Sequence, residues 1–493
     1  MAEEETAQAE EAEPPVAVII AAGQGKRLRD STGDDQLIKP ISKILGVPLI
    51  VRVLRTMMDE GVEEAVVVTG YQPEALQTTL ESDPRLEGLK LTFAHNEDWQ
   101  KSNGLSVLAA REAVGDRTFY LSMSDHVYSC EVVQALKHRP PEEGELVLAV
   151  DRRIDEINDP DDAMWVRLEP DGKIREIAKD LTEYDVVDTG VFLTTPALFE
   201  ALAAEREERG GDCALFHGVA RLAAAGNART ADIGEAWWQD VDTKGDLRAA
   251  RRKLLRSLRK SIDGIVARSL NRPVSLPISA WLVDHTGFTP NQMSVACLLM
   301  SLIAAALVAF SGGHYVLVLL GAALMQFSSI FDGVDGEIAR LKWQFTDYGE
   351  WIDTICDDIS NYVFVAAITY LAHVSGWPAW FTVLGIIALV GYAIAIPLAY
   401  SYIILYTDSG DVMAVDYDFN LGEQSFSDTR WHVWVLARLK YVTKRDFFLF
   451  FFFCLSVVGV LPVALIFVSA GAIGVALAAG SQHLKKIAAE KQS

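Results

Sequence analysis

Two hydrophobic patterns divide this 493-residue chain. In the first half, short continuous apolar runs alternate with longer amphipathic stretches. The runs are VAVIIAA (16–22), AVVVT (65–69), LTFAH (91–95), TFYLSM (118–123), LVLAV (146–150) and VVDTGVFL (186–193). β-Branched runs of this length, separated by helix-like segments, predict a doubly wound α/β domain with a mixed, mostly parallel sheet covered on both faces. Ligands on such sheets bind beyond the carboxyl ends of the strands. The second half carries six apolar segments, roughly 293–311, 314–331, 353–373, 377–404, 446–461 and 463–481. Most approach the ~20 residues that cross a hydrocarbon core, and the last two share a short turn. They predict an all-α membrane domain of six transmembrane helices. Between the halves, residues 244–262 (KGDLRAARRKLLRSLRKSI) are basic and amphipathic. Leu247, Leu254, Leu255, Leu258 and Ile262 can share one side, as in a helix on the membrane surface or a rigid connector.

These patterns imply an acidic tail over 1–15, an α/β domain over 16–247, and a linker with an interfacial helix over 248–292. A membrane domain over 293–482 and a basic tail over 483–493 complete the chain. The net charge of −23 argues against a nucleic-acid partner, which calls for a basic surface. Part of that charge is the opening MAEEETAQAEEAEPP, which has the composition of a disordered tail and no secretory signal pattern. The five cysteines are widely spaced without a CxxC, which implies reduced thiols. The turns at 311–315, 373–378 and 460–463 contain no Lys or Arg. The opposite ends carry the basic linker, Arg340, Lys342, the Arg438–Arg445 cluster and Lys485-Lys486. Positive charge therefore marks that side, and with it the α/β domain and both termini, as cytoplasmic at the cell membrane.

The chemistry concentrates in residues 332–357, DGVDGEIARLKWQFTDYGEWIDTICD. Asp332 and Asp335 are three apart, and Asp353 and Asp357 four apart, so each pair shares a helix face. Two such helices meeting aim four carboxylates at one point. Acidic residues at the ends of membrane spans are functional-site candidates. The spacing D-x2-D-G-x2-A-R-x8-G-x3-D-x3-D is filled without departure and resembles the signature of the CDP-alcohol phosphotransferase family. The resemblance implies that Asp332, Asp335 and Asp353 hold metal and CDP and that Asp357 is the general base and can also touch a metal. Gly336 and Ala339 are small enough to let a nucleotide lie against backbone, and Arg340 offers a fork for phosphate. Asn271-Arg272-Pro273 and Thr289-Pro290-Asn291 are similar to that family's approach to its first span. Lys444 and Arg445 open the fifth segment, either as ligands of an acceptor phosphate or as ordinary positive anchors.

In the first half, the strand 16–22 runs through Ala22 into Gly23-Gln24-Gly25-Lys26-Arg27-Leu28, a turn that can present N–H groups to phosphate. It fits neither the Rossmann fingerprint nor the Walker A pattern, since Leu28 replaces the third glycine and Arg27 follows Lys26. Its continuation IKPISKILGVPLI (38–50) gives GxGxRL plus KPx5GxPL, which resembles the sugar-phosphate nucleotidyltransferase family. The resemblance implies that Arg27 and Lys39 hold a triphosphate and stabilise its developing charge, and that Asp125 binds Mg2+. WWQDVDTKGDL (237–247) is similar to the family's closing strand. There Asp242, or alternatively Asp240, supplies a second metal carboxylate, because alternation lets only one face the site. Asn103 and Gly104 fall where similar cytidylyltransferases contact the nucleotide, or form a polar turn. Lys179 and the Asp188-Thr189-Gly190 turn fall where such enzymes hold the phosphorylated substrate or form a structural turn.

A domain that makes an NDP-alcohol fused to one that consumes a CDP-alcohol reads as two consecutive steps with CTP as the nucleotide. The whole chain resembles the bifunctional inositol-1-phosphate cytidylyltransferase and di-myo-inositol phosphate phosphate synthase family. That implies CTP and inositol-1-phosphate as substrates, CDP-inositol as intermediate, Mg2+ (or Mn2+) at both sites and a homodimer through the membrane domain. The product in that family is a compatible solute. Two other readings remain open at this point: a lipid or other alcohol as acceptor, and a non-catalytic nucleotide-sensing first half.

Overall fold

The structure is a computed structural model that describes residues 14–157, 159–259, 263–406 and 445–490. The acidic tail up to residue 13 and Lys444 therefore lie outside the described residues. The chain forms two compact units, Met1–Leu254 and Leu255–Ser493.

The first unit is built on a nine-stranded mixed sheet. Its strands are β1 (Val16–Ile20), β2 (Glu64–Thr69), β3 (Lys90–His95), β4 (Phe119–Met123), β5 (Leu146–Asp151), β6 (Trp165–Leu168), β7 (Ile174–Ala178), β8 (Val186–Thr194) and β9 (Ala228–Asp232). Their order is β7-β6-β8-β4-β1-β2-β3, with β5 on the other edge of β8 and β9 beside β5. β1 pairs in parallel with β2 and β4, and its five residues are all buried, which is what a continuous apolar run demands. β8 is antiparallel to β4, β5 and β6, so its first residues lie at the end of the sheet where β1 and β4 finish. A register shift in β8 centres on Gly190, whose φ of +74° only glycine adopts without cost. All six apolar runs of the first half became strands. The run VVDTGVFL joined the sheet antiparallel to all its neighbours, and LVLAV is antiparallel to it but parallel to β9, so the sheet is more mixed than the pattern suggested.

A separate two-stranded ribbon pairs His126–Tyr128 with Trp238–Asp240, setting Asp240 directly across from His126. Three helices bear on the site: α1 (Lys26–Thr32), α2 (Asn103–Ala109) and α3 (Lys244–Ser257). The basic helix α3 is anchored to the first unit at its start. Ala249, Ala250 and Leu254 are buried, and Lys253 Nζ donates to the Trp238 carbonyl at 2.7 Å.

The second unit is helical: α4 (Arg272–His285), α5 (Pro290–Ala309), α6 (Tyr315–Lys342), α7 (Asp347–Val374), α8 (Ala379–Tyr406), α9 (Arg445–Val457) and α10 (Ala464–Glu490). Among the described residues, five helices are long and apolar enough to cross a membrane. α9 has 13 residues, about 20 Å of helix, and is not one of them by length alone. The start of α5 is a capping box, with Thr289 and Gln292 exchanging side-chain hydrogen bonds to backbone and Pro290 in the first turn. The core is apolar side chains such as Phe364, Ile368, Leu371, Phe452 and Leu465. Many apolar residues outside it, among them Leu299, Ile303, Leu320 and Phe327, face outward, as lipid-facing positions would.

Candidate active sites

In the first unit, the ends of β1 and β4 and the start of β8 converge on a cavity of about 340 Å³ lined by Arg27, Asp125, Lys179, Asp188, Asp240 and Asp242, among others. Lys39 leaves a short helical turn, and its Nζ lies 2.5 Å from Asp125 Oδ2 and 2.5 Å from Asp242 Oδ1. The stem of Lys39 passes over Gly25. A Cβ there would meet the Lys39 Cβ at 2.4 Å, and φ at Gly25 is +66°. Glycine at this position is thus required twice, by backbone conformation and by the approach of the lysine. Arg27, in the first turn of α1, reaches Asp242 at 2.6 Å and Asp162 at 2.5 Å. Asp162 also accepts from Lys179 at 2.5 Å. The Asp242 turn is held by Asp246, whose Oδ2 accepts from the Thr243 N–H and hydroxyl, each at 2.8 Å.

The electrostatics follow from this packing. Burial works against the Lys39 ammonium, but Asp125, Asp240 and Asp242 outweigh it and hold its pKa above the ordinary lysine value. Burial alone would raise the Asp125 carboxyl, yet Lys39 and His126 hold it well below the usual range. Asp240 behaves oppositely: burial, with Asp125 and Asp242 nearby, pushes it up to about 7. Burial lowers His126, but Asp240 and Asp125 raise it to about 9. Asp188, desolvated and accepting one bond from Gly190 N–H at 2.6 Å, moves up to about 6.

Asp240 and Asp242 both line the cavity, which corrects the expectation that alternation would let only one face it. The strand ends at Asp240, so its period does not extend to Asp242. Gly104 is buried at the start of α2, where a Cβ would lie 2.5 Å from the Cys213 carbonyl oxygen. Its glycine serves this packing. Asn103 lines the cavity, while its Oδ1 accepts from Leu215 N–H at 2.9 Å. Ala22 is buried and Gly23 is exposed with open space where a side chain would stand.

In the second unit, α6 and α7 bring the Asp332, Asp353 and Asp357 carboxylates within 4.8 Å of one another. Asp335 is buried and accepts from Ser294 Oγ of α5 at 2.6 Å. Arg445, the first residue of α9, places Nη1 2.5 Å from Asp357 and 2.8 Å from Asp332. The fixed glycine of the signature, Gly349, stands where a Cβ would be 2.9 Å from both Asn291 Oδ1 and Thr346 Oγ1. A larger residue there would displace the Asn291 and Thr346 side chains. Gly336 and Arg340 lie together on α6, with Arg340 Nη1 3.4 Å from a Cβ at Gly336, and Ala339 is buried.

Three features escaped the sequence reading. His126 Nδ1 donates to Asp125 Oδ1 at 2.9 Å, and its place directly after Asp125 was a usable signal. Asp162 sits in the polar run DPDD, which has no periodicity to mark it. Glu337 is fully buried, with Arg272 at 2.5 Å, Ser275 at 2.6 Å and Ser279 at 2.5 Å. Its partners, spaced i, i+3 and i+7 along α4, form a polar stripe that could have been read as facing a buried acid.

Two observations fit divalent cations at these carboxylates. Asp240 Oδ1 and Asp353 Oδ1 are each buried with no hydrogen-bond partner. Each sits in or beside a cluster of carboxylate oxygens, the donor type that hard cations take.

Residues 288–417 match the CDP-alcohol phosphatidyltransferase family, and residues 17–261 match the MobA-like NTP transferase domain. A bifunctional IPC transferase and DIPP synthase of Rubrobacter xylanophilus is 34% identical over 371 residues, covering 74% of this chain and 80% of the relative. The enzyme of the same description from Archaeoglobus fulgidus is 34% identical over 370 residues, covering 75% and 69%. A solved structure of the inositol-1-phosphate CTP transferase from T. maritima matches 48% of this chain and 96% of its own, at 26% identity and a TM-score of 0.42.

Proposed function

The chain belongs to the family of bifunctional IPC transferase and DIPP synthases, and we propose that it carries out both of that family's reactions. In the first, CTP and inositol-1-phosphate give CDP-inositol and pyrophosphate. In the second, CDP-inositol and an inositol phosphate give di-myo-inositol phosphate phosphate and CMP. The observation that carries this reading is the presence of two complete polar sites on one chain. Lys39 stands between Asp125 and Asp242 in one unit, and four carboxylates at signature spacing occupy the other.

At the first site, a phosphomonoester oxygen attacks the α-phosphorus of CTP, the new P–O bond forming as the bond to pyrophosphate breaks. Arg27 and Lys39 hold the triphosphate and balance the charge that grows on the leaving pyrophosphate. Lys179 and Asp188 orient the phosphorylated alcohol. Asp125, with Asp242 and Asp240, would hold Mg2+ (or Mn2+), which when bound neutralises phosphate charge and aligns the reacting groups. At the second site, Asp332, Asp335, Asp353 and Asp357 would hold such a cation together with the CDP moiety. Asp357 takes the proton of the acceptor hydroxyl as it attacks the β-phosphorus and CMP departs. Arg445 now neutralises Asp357 and Asp332. For Asp357 to accept a proton, that guanidinium must turn to another anion, and the phosphate of the acceptor is the suitable one.

We read the membrane unit as six crossings, with α9 as the fifth. Arg445 at its start reaches the carboxylates near the end of α6, while at its other end Tyr315 Oη donates to the Val457 carbonyl at 2.8 Å. α9 thus accompanies α6 from Tyr315 to Asp332. The distribution of Lys and Arg supports a cytoplasmic position for both sites.

The experiment is phosphorus NMR of the full-length protein with CTP, Mg2+ and inositol-1-phosphate. A CDP-inositol pyrophosphate signal should appear first, followed by a phosphodiester with a retained phosphomonoester. A reaction that stops at CDP-inositol would remove the acceptor assignment, and no turnover of inositol-1-phosphate would remove the first.

A further inference from the structure

Asp162 holds the two exposed cations of the first site at once. Its Oδ2 accepts from Arg27 Nη1 at 2.5 Å, and its Oδ1 accepts from Lys179 Nζ at 2.5 Å. These cations come from distant parts of the chain, Arg27 from α1 and Lys179 from the end of β7. Asp162 itself lies between β5 and β6. An anion with two oxygens, bridging a guanidinium and an ammonium, reproduces what a bound phosphate would do there.

The bridge has the marks of an exchangeable contact. The side chains of Arg27, Lys179 and Asp162 are 56%, 54% and 28% exposed. Ion pairs that open to water contribute little to stability, so the fold does not depend on this one. Lys39, by contrast, keeps 9% of its side chain exposed and is locked between its carboxylates. A phosphomonoester carries up to two charges and three acceptor oxygens, against one charge and two oxygens on a carboxylate. It therefore outcompetes Asp162, whereas a neutral alcohol cannot.

We propose that Asp162 is an internal stand-in for the substrate phosphate, occupying Arg27 and Lys179 until a phosphomonoester displaces it, and so selects phosphorylated over free alcohols. This rests on the reading of Lys179 as a ligand of the phosphomonoester and of Arg27 as a phosphate ligand that the phosphomonoester shares with the triphosphate. A different role is available to the same carboxylate, because its oxygen lies within 4.8 Å of those of Asp240 and Asp242, where it could serve as a metal ligand.

The test uses the full-length protein with Asp162→Asn, Asp162→Glu and the double variant Asp162→Asn/Lys179→Ala. Inorganic phosphate is titrated by calorimetry, and KM for inositol-1-phosphate and the Mg2+ concentration giving half-maximal rate are measured. Asp162→Asn should bind phosphate roughly 5-fold tighter, the scale of an exposed charge pair, and lower KM to match, with the gain in KM rather than kcat. Asp162→Glu should stay near the parent, and the double variant should lose the gain. Unchanged or weaker phosphate binding in Asp162→Asn overturns the proposal, as does a raised Mg2+ requirement, which would mark a metal ligand. If the parent does not turn over inositol-1-phosphate, the functional reading falls while the phosphate titration still decides the role of Asp162.

Discussion

Lys39→Met is the substitution that most directly separates the two reactions. Methionine keeps the stem that packs over Gly25 and removes only the ammonium, whose Nζ lies 2.5 Å from each of two carboxylates. The lost group is a preorganised donor in a site where the lysine is 7% exposed. Removing one such donor from a developing oxyanion costs about 3–4 kcal/mol of barrier, or 10²–10³ in kcat. Formation of CDP-inositol should fall by that factor. Transfer from supplied CDP-inositol should stay within twofold of the parent, because the four signature aspartates are untouched.

The same variant has a readout that does not involve turnover. Lys39 is the largest of the influences that hold the Asp125 carboxyl down. A carboxyl lowered by folding stabilises the protein above its unfolded value and loses that stability as pH falls toward its folded value. Lys39→Met should therefore shrink the acid-side loss of stability, lower Tm near neutral pH, and make Tm rise more steeply with added Mg2+ than in the parent. A first-step rate within tenfold of the parent would refute Lys39 as the charge-balancing group. Equal loss of both steps would refute the separation of sites.

Further outcomes test other residues. Asp357→Asn should stop phosphodiester formation while CDP-inositol accumulates, and continued transfer at the parental rate removes Asp357 as base. Gly25→Ala should impair the first step by tenfold or more and leave the second, since its Cβ would stand 2.4 Å from the Lys39 Cβ at a φ of +66°; kinetics of each step check this. Asp188 titrates near 6, above the ordinary carboxyl range, so its protonated form stabilises the fold at low pH and that contribution is lost as pH rises through about 6. Asp188→Asn should therefore raise Tm at pH 8 more than at pH 5, and a pH-independent shift would contradict the burial of that carboxyl.

The parts of this architecture that could be read from the chain are those governed by a short period. Five of the six apolar runs form strands buried along most of their length, where burial on both faces leaves little room for polar positions, whereas LTFAH in the edge strand β3 is only partly buried. β6, β7 and β9 (WVRL, IREIA and ARTAD) mix buried with half-buried or exposed positions and gave no comparable signal. The apolar segments of the second half were equally legible where they are long. α9 was recognised as apolar, and its 13 described residues amount to about 20 Å of helix.

Sites follow the same rule with a different limit. Asp332, Asp335, Asp353 and Asp357 lie on two consecutive helices, so their spacing carries their geometry and the cluster was visible directly. Lys39, Asp125, Asp162, Lys179 and Asp242 come from five separated segments, and no spacing between them has structural meaning; only a family pattern could gather the four that were found. Charge, moreover, records what a residue can bind and not which partner it holds. Arg445, expected either on an acceptor phosphate or as a positive anchor, sits on Asp332 and Asp357, while Arg27 and Lys179, expected on substrate phosphates, sit on Asp162. In both units a cation expected on substrate rests on a carboxylate of the same chain. A carboxylate offers such a cation the same oxygen pair at lower charge, which holds the cation in place without substrate and leaves it open to exchange with a phosphate.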